Sequence, residues 1–282
     1  MSDKNFLSKT KEKTLVMGIL NVTPDSFSDG GKFYNVDKAV EHALRMEKEG
    51  ADVIDVGGES TRPGAEPVSL DEEIKRVIPV VEEIVDKLKV PVSIDSYKSK
   101  IVKKALGCGV SMVNDVTALQ GDQHLVNLIT EYDVPICLMH MKGNPRDMQK
   151  NPEYDDIIFE IKSFLKERAE FAVFNGVKKE NIIVDPGIGF GKRTGRGIED
   201  NIEIIRRLDE LKKLGFPVLI GASRKTFIGN LCSKGKKSAP VHKRLGGSIA
   251  AGLMAVNNGA DIIRVHDVQE TRCALDIIKH FM

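Results

Sequence analysis

The 282-residue chain carries 42 Lys plus Arg against 41 Asp plus Glu, a formal net charge of +1, with 41% hydrophobic and 29% charged residues. This balance gives no strong field for steering nucleic acid or an anionic membrane, and the usage excludes disordered, collagen-like and coiled-coil classes. With no Trp and 5% aromatics there is no aromatic and basic face for nucleic acid, and no apolar run approaches the ~18 residues a membrane helix needs.

The start, MSDKNFLSKTKEK, is polar and charged, without a secretory apolar region. Residues 1–13 are therefore expected to be an N-terminal extension of a cytoplasmic protein. Short apolar, β-branched runs then recur at residues 15–20, 52–56, 92–94, 112–113, 136–139, 182–184, 218–220 and 262–265. Between them, stretches such as 36–49, 70–88, 154–174 and 244–257 space apolar residues by three and four, as helices do. Eight strands alternating with helices in a chain of this length predict an α/β fold, a single (β/α)8 TIM barrel domain over 1–282, rather than an open doubly wound sheet. The segment KRTGRG (192–197) reads as a loop insertion within it. Cys108, Cys137, Cys232 and Cys273 show no C-x-x-C pair and are expected to be reduced core thiols.

Active sites of such barrels lie at the C-terminal ends of the strands. The polar residues that follow the runs are Asn21, the segment Gly57–Arg62, Asp95, Asn114, His140, Asp185, the segment Ser223–Lys225, and His266 just beyond Arg264. Helix caps would explain Asp and Asn there, but not the clustered Arg, Lys and His. Carboxylates and a carboxamide suit the N–H edge of a heterocycle, while the cations suit phosphate oxygens. Two long loops, NVTPDSFSDGG (21–31) and GGESTRPGAEP (57–67), read as lids over that mouth.

Other motifs fail. PGIGFGKR (186–193) has Pro186 where a P-loop needs its first Gly and Arg193 where it needs Ser or Thr. Its glycines 187, 189 and 191 are expected instead to let backbone approach a flat ligand. There is no H-E-x-x-H motif or Ser-His-Asp order, and His42, His124, His242 and His280 lie away from the mouth.

MGILNVTPDSFSDGG, DVGGESTRPGA, VSIDS, VNDV, DPGIGFGK, GASRKTFIG and GGSIAAGLMAVNNGADIIRVHDV, in this order over nearly the whole chain, resemble the dihydropteroate synthases. The resemblance implies condensation of 6-hydroxymethyl-7,8-dihydropterin diphosphate with 4-aminobenzoate, giving 7,8-dihydropteroate and diphosphate by an SN1-like route without a covalent enzyme intermediate. It also implies inhibition by sulfonamides, which mimic 4-aminobenzoate, and a homodimer joined through C-terminal helices. Asp95, Asn114, Asp185, Lys225 and Arg264 would hold the pterin, and Asp95, Lys225 and Arg264 would be catalytic, Asp95 by stabilising a pterin methyl cation. Asn21, Thr61, Arg62, Arg264 and His266 would contact diphosphate, with Asn21 also meeting Mg2+, the implied cofactor. Thr61, Pro63, Gly189, Phe190, Lys225 and Thr226 would form the 4-aminobenzoate site. Thr226 stands where many members have Ser, and the KRTGRG insertion is a second departure. Rival readings are a methyltetrahydrofolate methyltransferase, which would not need the SRK and STRP segments, and a non-catalytic pterin-binding paralogue, which the retained Arg62, Asp95 and Lys225 disfavour.

Overall fold

The computed structural model describes residues 6–23, 36–60, 65–143, 146–195, 198–233 and 237–281. Most of the first expected lid and the tip of the second, including Thr61, Arg62 and Pro63, lie outside the described residues.

The eight apolar runs form eight parallel strands: β1 (Leu15–Asn21), β2 (Val53–Gly57), β3 (Val92–Asp95), β4 (Met112–Asp115), β5 (Ile136–Met139), β6 (Ile182–Asp185), β9 (Leu219–Ile220) and β10 (Ile262–Val265). They lie in the order β6-β5-β4-β3-β2-β1-β10-β9. A parallel bridge between Val184 and Val218, with Val184 N–H donating to the Pro217 carbonyl at 3.0 Å, brings the two ends together into a nearly closed barrel. Between them, β7 (Thr194–Gly195) and β8 (Ile198–Glu199) pair antiparallel. Thr194 and Gly195 of the KRTGRG segment, read as loop, thus belong to a small ribbon. Its base is pinned by Asp200, whose carboxylate accepts from the Arg193 backbone N–H and guanidinium.

Side chains of a strand alternate between its two faces, and here the two sets separate cleanly. Val16, Ile54, Ile94, Val113, Leu138, Val184, Ile220 and Ile263 pack with the surrounding helices in the main core. The opposite set, Leu15, Met17, Val53, Met112, Cys137, Ile183, Leu219 and Ile262, meets inside the barrel and forms its apolar floor. The N-terminal segment, read as polar, supplies two members of that floor. A 3-10 helix over Phe6–Lys11 buries Phe6 and Leu7 in it, closing the N-terminal end of the barrel.

Helices run over Val36–Lys48, Leu70–Val85, Ile157–Phe174 and Leu245–Asn257 in the expected stretches. The third starts later than its apolar spacing suggested, because the Asp156 carboxylate caps it by accepting from the Ile158 and Phe159 amides. The cysteines are all free, but only Cys137 is in the core. Cys108 is half-buried, Cys232 is exposed just past the helix Thr226–Leu231 and Cys273 is exposed on the helix Val268–Ile278, which corrects the expectation of four core thiols.

Candidate active site

The interior columns continue upward from the apolar floor. Two residues beyond Val53, Ser93, Met112, Ile183 and Ile262, on the same face, stand Asp55, Asp95, Asn114, Asp185 and Arg264. The floor is apolar and the next layer polar, so these five groups converge at the C-terminal mouth. Register ties the layer together, with Asn21 opposite Gly57, Gly57 opposite Asp95, and Asp95 opposite Asn114.

Arg264 joins this layer. Its Nε donates to Asp55 Oδ2 at 2.6 Å and its second terminal nitrogen to Asp95 Oδ2 at 2.7 Å. Asp55 Oδ2 also accepts from the Asn114 amide at 3.0 Å. Asp55 is fully buried and was not singled out in the sequence, where it sits inside an apolar run. Its Oδ1 has no hydrogen-bond partner among the described residues, leaving an acceptor for a donor brought by a ligand. Burial pushes Asp95 up to about 7, against the pull of Arg264 and with the help of Asp55, Glu73 and Asp115. Burial likewise pushes Asp185 up to about 6, opposed by the Gly187 amide and by Lys225, Lys192 and Arg264. Burial would lower Arg264, but Asp55 and Asp95 hold it above its ordinary value.

The loop after β6 brings a second group of residues to this mouth. Asp185 Oδ1 accepts from Gly187 N–H at 2.7 Å. Gly187 has φ +71°, and a Cβ there would stand 1.9 Å from the His140 carbonyl oxygen. Gly191, at φ +60°, would place one 2.3 Å from that of Lys142. These two glycines make room for neighbouring protein backbone, which corrects the expectation that they serve a flat ligand. Gly189 faces Lys225, whose Nζ lies 4.1 Å from the centroid of the Phe190 ring. Phe190 is buried with Val116, Met139 and Met148.

Two expected cations serve otherwise. His140 is buried, and desolvation together with Lys192 pushes it down to about 2, so it is a neutral ring rather than a charge for phosphate. Arg224, held at φ +57°, turns its guanidinium onto the Asp267 carboxylate. Lys225 and His266 are half-buried near the mouth, with His266 Nδ1 3.0 Å from Ser223 Oγ. Thr226 is exposed and opens the helix Thr226–Leu231, while Asn21 is half-buried at the end of β1. Lys192, taken for a loop residue, is buried beside His140. Its signal was tertiary packing, which no local pattern carried.

A barrel whose interior turns from apolar floor to a layer of carboxylates, amide and guanidinium is the architecture of an enzyme for a small heterocyclic ligand. Residues 17–266 match the family described as pterin binding enzyme, which fixes the class. The dihydropteroate synthase of Escherichia coli strain K12 is 44% identical over 264 residues, covering 94% of this chain and 90% of that one. The solved dihydropteroate synthase of Xanthomonas albilineans with 4-aminobenzoic acid superposes with a TM-score of 0.87 at 44% identity, covering 96% and 93% of the two chains. The same organism's enzyme in complex with 7,8-dihydropteroate gives 0.83 at 40% identity, covering 96% and 94%. The chain belongs to the dihydropteroate synthases among the pterin-binding enzymes.

Proposed function

We propose that the protein joins 6-hydroxymethyl-7,8-dihydropterin diphosphate to 4-aminobenzoate, releasing diphosphate and forming 7,8-dihydropteroate. The observation that carries this is the interior layer of Asp55, Asp95, Asn114 and Asp185 around Arg264 at the mouth. The aminopyrimidinone edge of a pterin donates adjacent N–H bonds, which Asp185 would accept deep in the barrel, with Asn114 reading further edge atoms and Lys225 the carbonyl side.

The carbon–oxygen bond to diphosphate breaks with its electron pair leaving on oxygen, and the pterin methyl cation is stabilised by the ionised Asp95. The arylamine lone pair then forms the carbon–nitrogen bond, and one proton leaves that nitrogen. Arg264, His266, Arg62 and Thr61 would take up the charge developing on diphosphate. Phe190, Gly189, Lys225 and Thr226, with Thr61 and Pro63, would form the 4-aminobenzoate subsite.

Asn21 offers a metal one neutral oxygen, and among the described residues no three His, Cys, Asp or Glu are grouped to hold an ion. That donor set fits Mg2+ arriving with the diphosphate, whose oxygens it prefers. When bound, Mg2+ would neutralise charge on the leaving group.

We also infer a homodimer in the cytoplasm. Met254, Ile277 and Phe281 are exposed on the C-terminal helices Leu245–Asn257 and Val268–Ile278 and just beyond the latter. Ile277 and Phe281 line, with Leu253, Cys273, Ala274 and Ile278, a mostly apolar hollow edged by Gln269 and Glu270, of the kind a second copy covers. Four free thiols suit a reducing compartment.

The test is formation of dihydropteroate from the two substrates with and without Mg2+, followed by mass spectrometry of the protein during turnover. Product dependent on both substrates and on Mg2+, with no covalent adduct, is expected. A trapped pterin adduct would overturn the SN1-like route, and pterin binding without product would overturn the activity.

A further inference from the structure

Three successive carbonyls in the loop after β6 each accept a hydrogen bond from a side chain. Gln149 Nε2 donates to the Gly189 carbonyl at 2.6 Å, Lys192 Nζ to that of Phe190 at 2.8 Å, and Tyr154 Oη to that of Gly191 at 2.6 Å. From the other side the Gly189 amide donates to Asn201 Oδ1 at 2.7 Å, and the Phe190 amide to the Gly187 carbonyl at 3.0 Å. Loop backbone on the surface ordinarily sends such groups to water. Here the backbone on both sides of the Phe190 ring is held by protein.

Lys192 is the member that needs explaining. It is 1% exposed, and burying a lysine ammonium is costly unless a carboxylate compensates it. Its two hydrogen-bond partners are instead the Phe190 carbonyl and His140 Nδ1, at 2.8 and 3.1 Å. Asp185 and Asp200 act on it from a distance, opposed by Lys225 and Lys142, and burial pulls it down to about 7. A methionine would fill the same volume without that cost. What lysine adds is a donor at the Phe190 carbonyl. The neutral His140 ring supplies the matching acceptor, and it is itself held edge-on against Phe164 at 5.0 Å between centroids.

We propose that Lys192, oriented by His140, is a positioning residue for the arylamine: it fixes the backbone that presents the Phe190 ring beside Lys225, and so sets the affinity for 4-aminobenzoate. This rests on reading Phe190 as a wall of the 4-aminobenzoate subsite. Lys192 touches neither substrate and takes no part in the bond changes.

The test is steady-state kinetics of Lys192→Met in both substrates, with thermal unfolding as a control, at a pH of roughly 8.5, where Asp185, raised to about 6, is ionised with or without the Lys192 charge. The expected result is a KM for 4-aminobenzoate raised about tenfold, the loss of one charge-assisted hydrogen bond, with kcat and the KM for the pterin diphosphate within about twofold of wild type. Tyr154→Phe, which deletes one hydroxyl and keeps the ring, is measured alongside and serves if Lys192→Met does not fold. A selective rise of about threefold is expected from it. A folded variant whose arylamine KM is unchanged, or in which both KM values rise equally, overturns the proposal. Wild-type protein that makes no dihydropteroate would instead overturn the functional reading on which it rests.

Discussion

Replacing Asp55 by Asn removes one negative charge from the centre of the polar layer while keeping its volume. Asp55 Oδ2 accepts from both Arg264 Nε at 2.6 Å and the Asn114 amide at 3.0 Å. An amide at that position turns either its NH2 toward these two donors or its single oxygen, leaving Arg264 paired in charge only with Asp95. Removing one partner of a buried ion pair costs about 3–5 kcal/mol, and an isosteric amide that keeps one bond should fall near the lower end, at about 3 kcal/mol. For a chain of 282 residues, an unfolding entropy of about 2 cal/mol/K per residue converts this to a Tm lowered by roughly 5 °C. Asp55 is also among the charges that hold Asp95 up, so the acid limb of the activity profile should move to lower pH. Calorimetry and a pH profile of kcat read the two effects separately. A Tm within about 1 °C of wild type together with an unmoved acid limb would refute the view that Asp55 anchors Arg264.

Gly187→Ala should abolish pterin binding, because φ +71° strains any side chain and the Cβ would stand 1.9 Å from the His140 carbonyl. Fluorescence titration with the pterin on soluble protein checks this. Phe6→Ala should cost about 3–5 kcal/mol by opening a cavity in the barrel floor, read as a fall in denaturation midpoint with unchanged kcat. Asp95 and Asp185 are raised from 3.8 to about 7 and about 6. The unliganded folded state therefore holds more protons than the unfolded state between pH ~4 and ~7, and stability from these groups is lost as pH rises through that window. Asp185→Asn should flatten this slope in chemical denaturation across the range. Ile277→Asp should shift the protein to monomer in sedimentation velocity, since it places a charge in the apolar face of the C-terminal helices.

The strands were legible because each is a short, mostly apolar run whose residues are largely buried on both faces, and the helices because theirs are periodic. Asp95, Asn114 and Asp185 were legible as polar residues ending such runs, and Arg264 as a charge just before His266 at the end of the last one. Asp55 follows the same rule, two residues above an inward Val53, but apolar neighbours on both sides concealed it in DVIDV. Counting inward parity from the floor upward would have found it. His140 misled because sequence gives its position at the mouth but not its desolvation, which the facing Lys192, Tyr154 and Phe164 impose. Phe6 and Leu7 were hidden because two apolar residues in a charged segment carry no periodic signal. Arg224 was counted among the mouth's cations because only its tertiary pairing with Asp267 turns it aside.

The central claim is that this layer binds a pterin diphosphate and transfers its methylene carbon to an arylamine. It is tested most directly by diphosphate release, with and without 4-aminobenzoate, from wild type and Asp185→Ala. Release coupled one-to-one to dihydropteroate, and lost in the variant while the fold persists, is predicted. Equal dihydropteroate formation by both proteins would contradict the assignment of Asp185 as the pterin anchor, and no product from wild type would contradict the account as a whole.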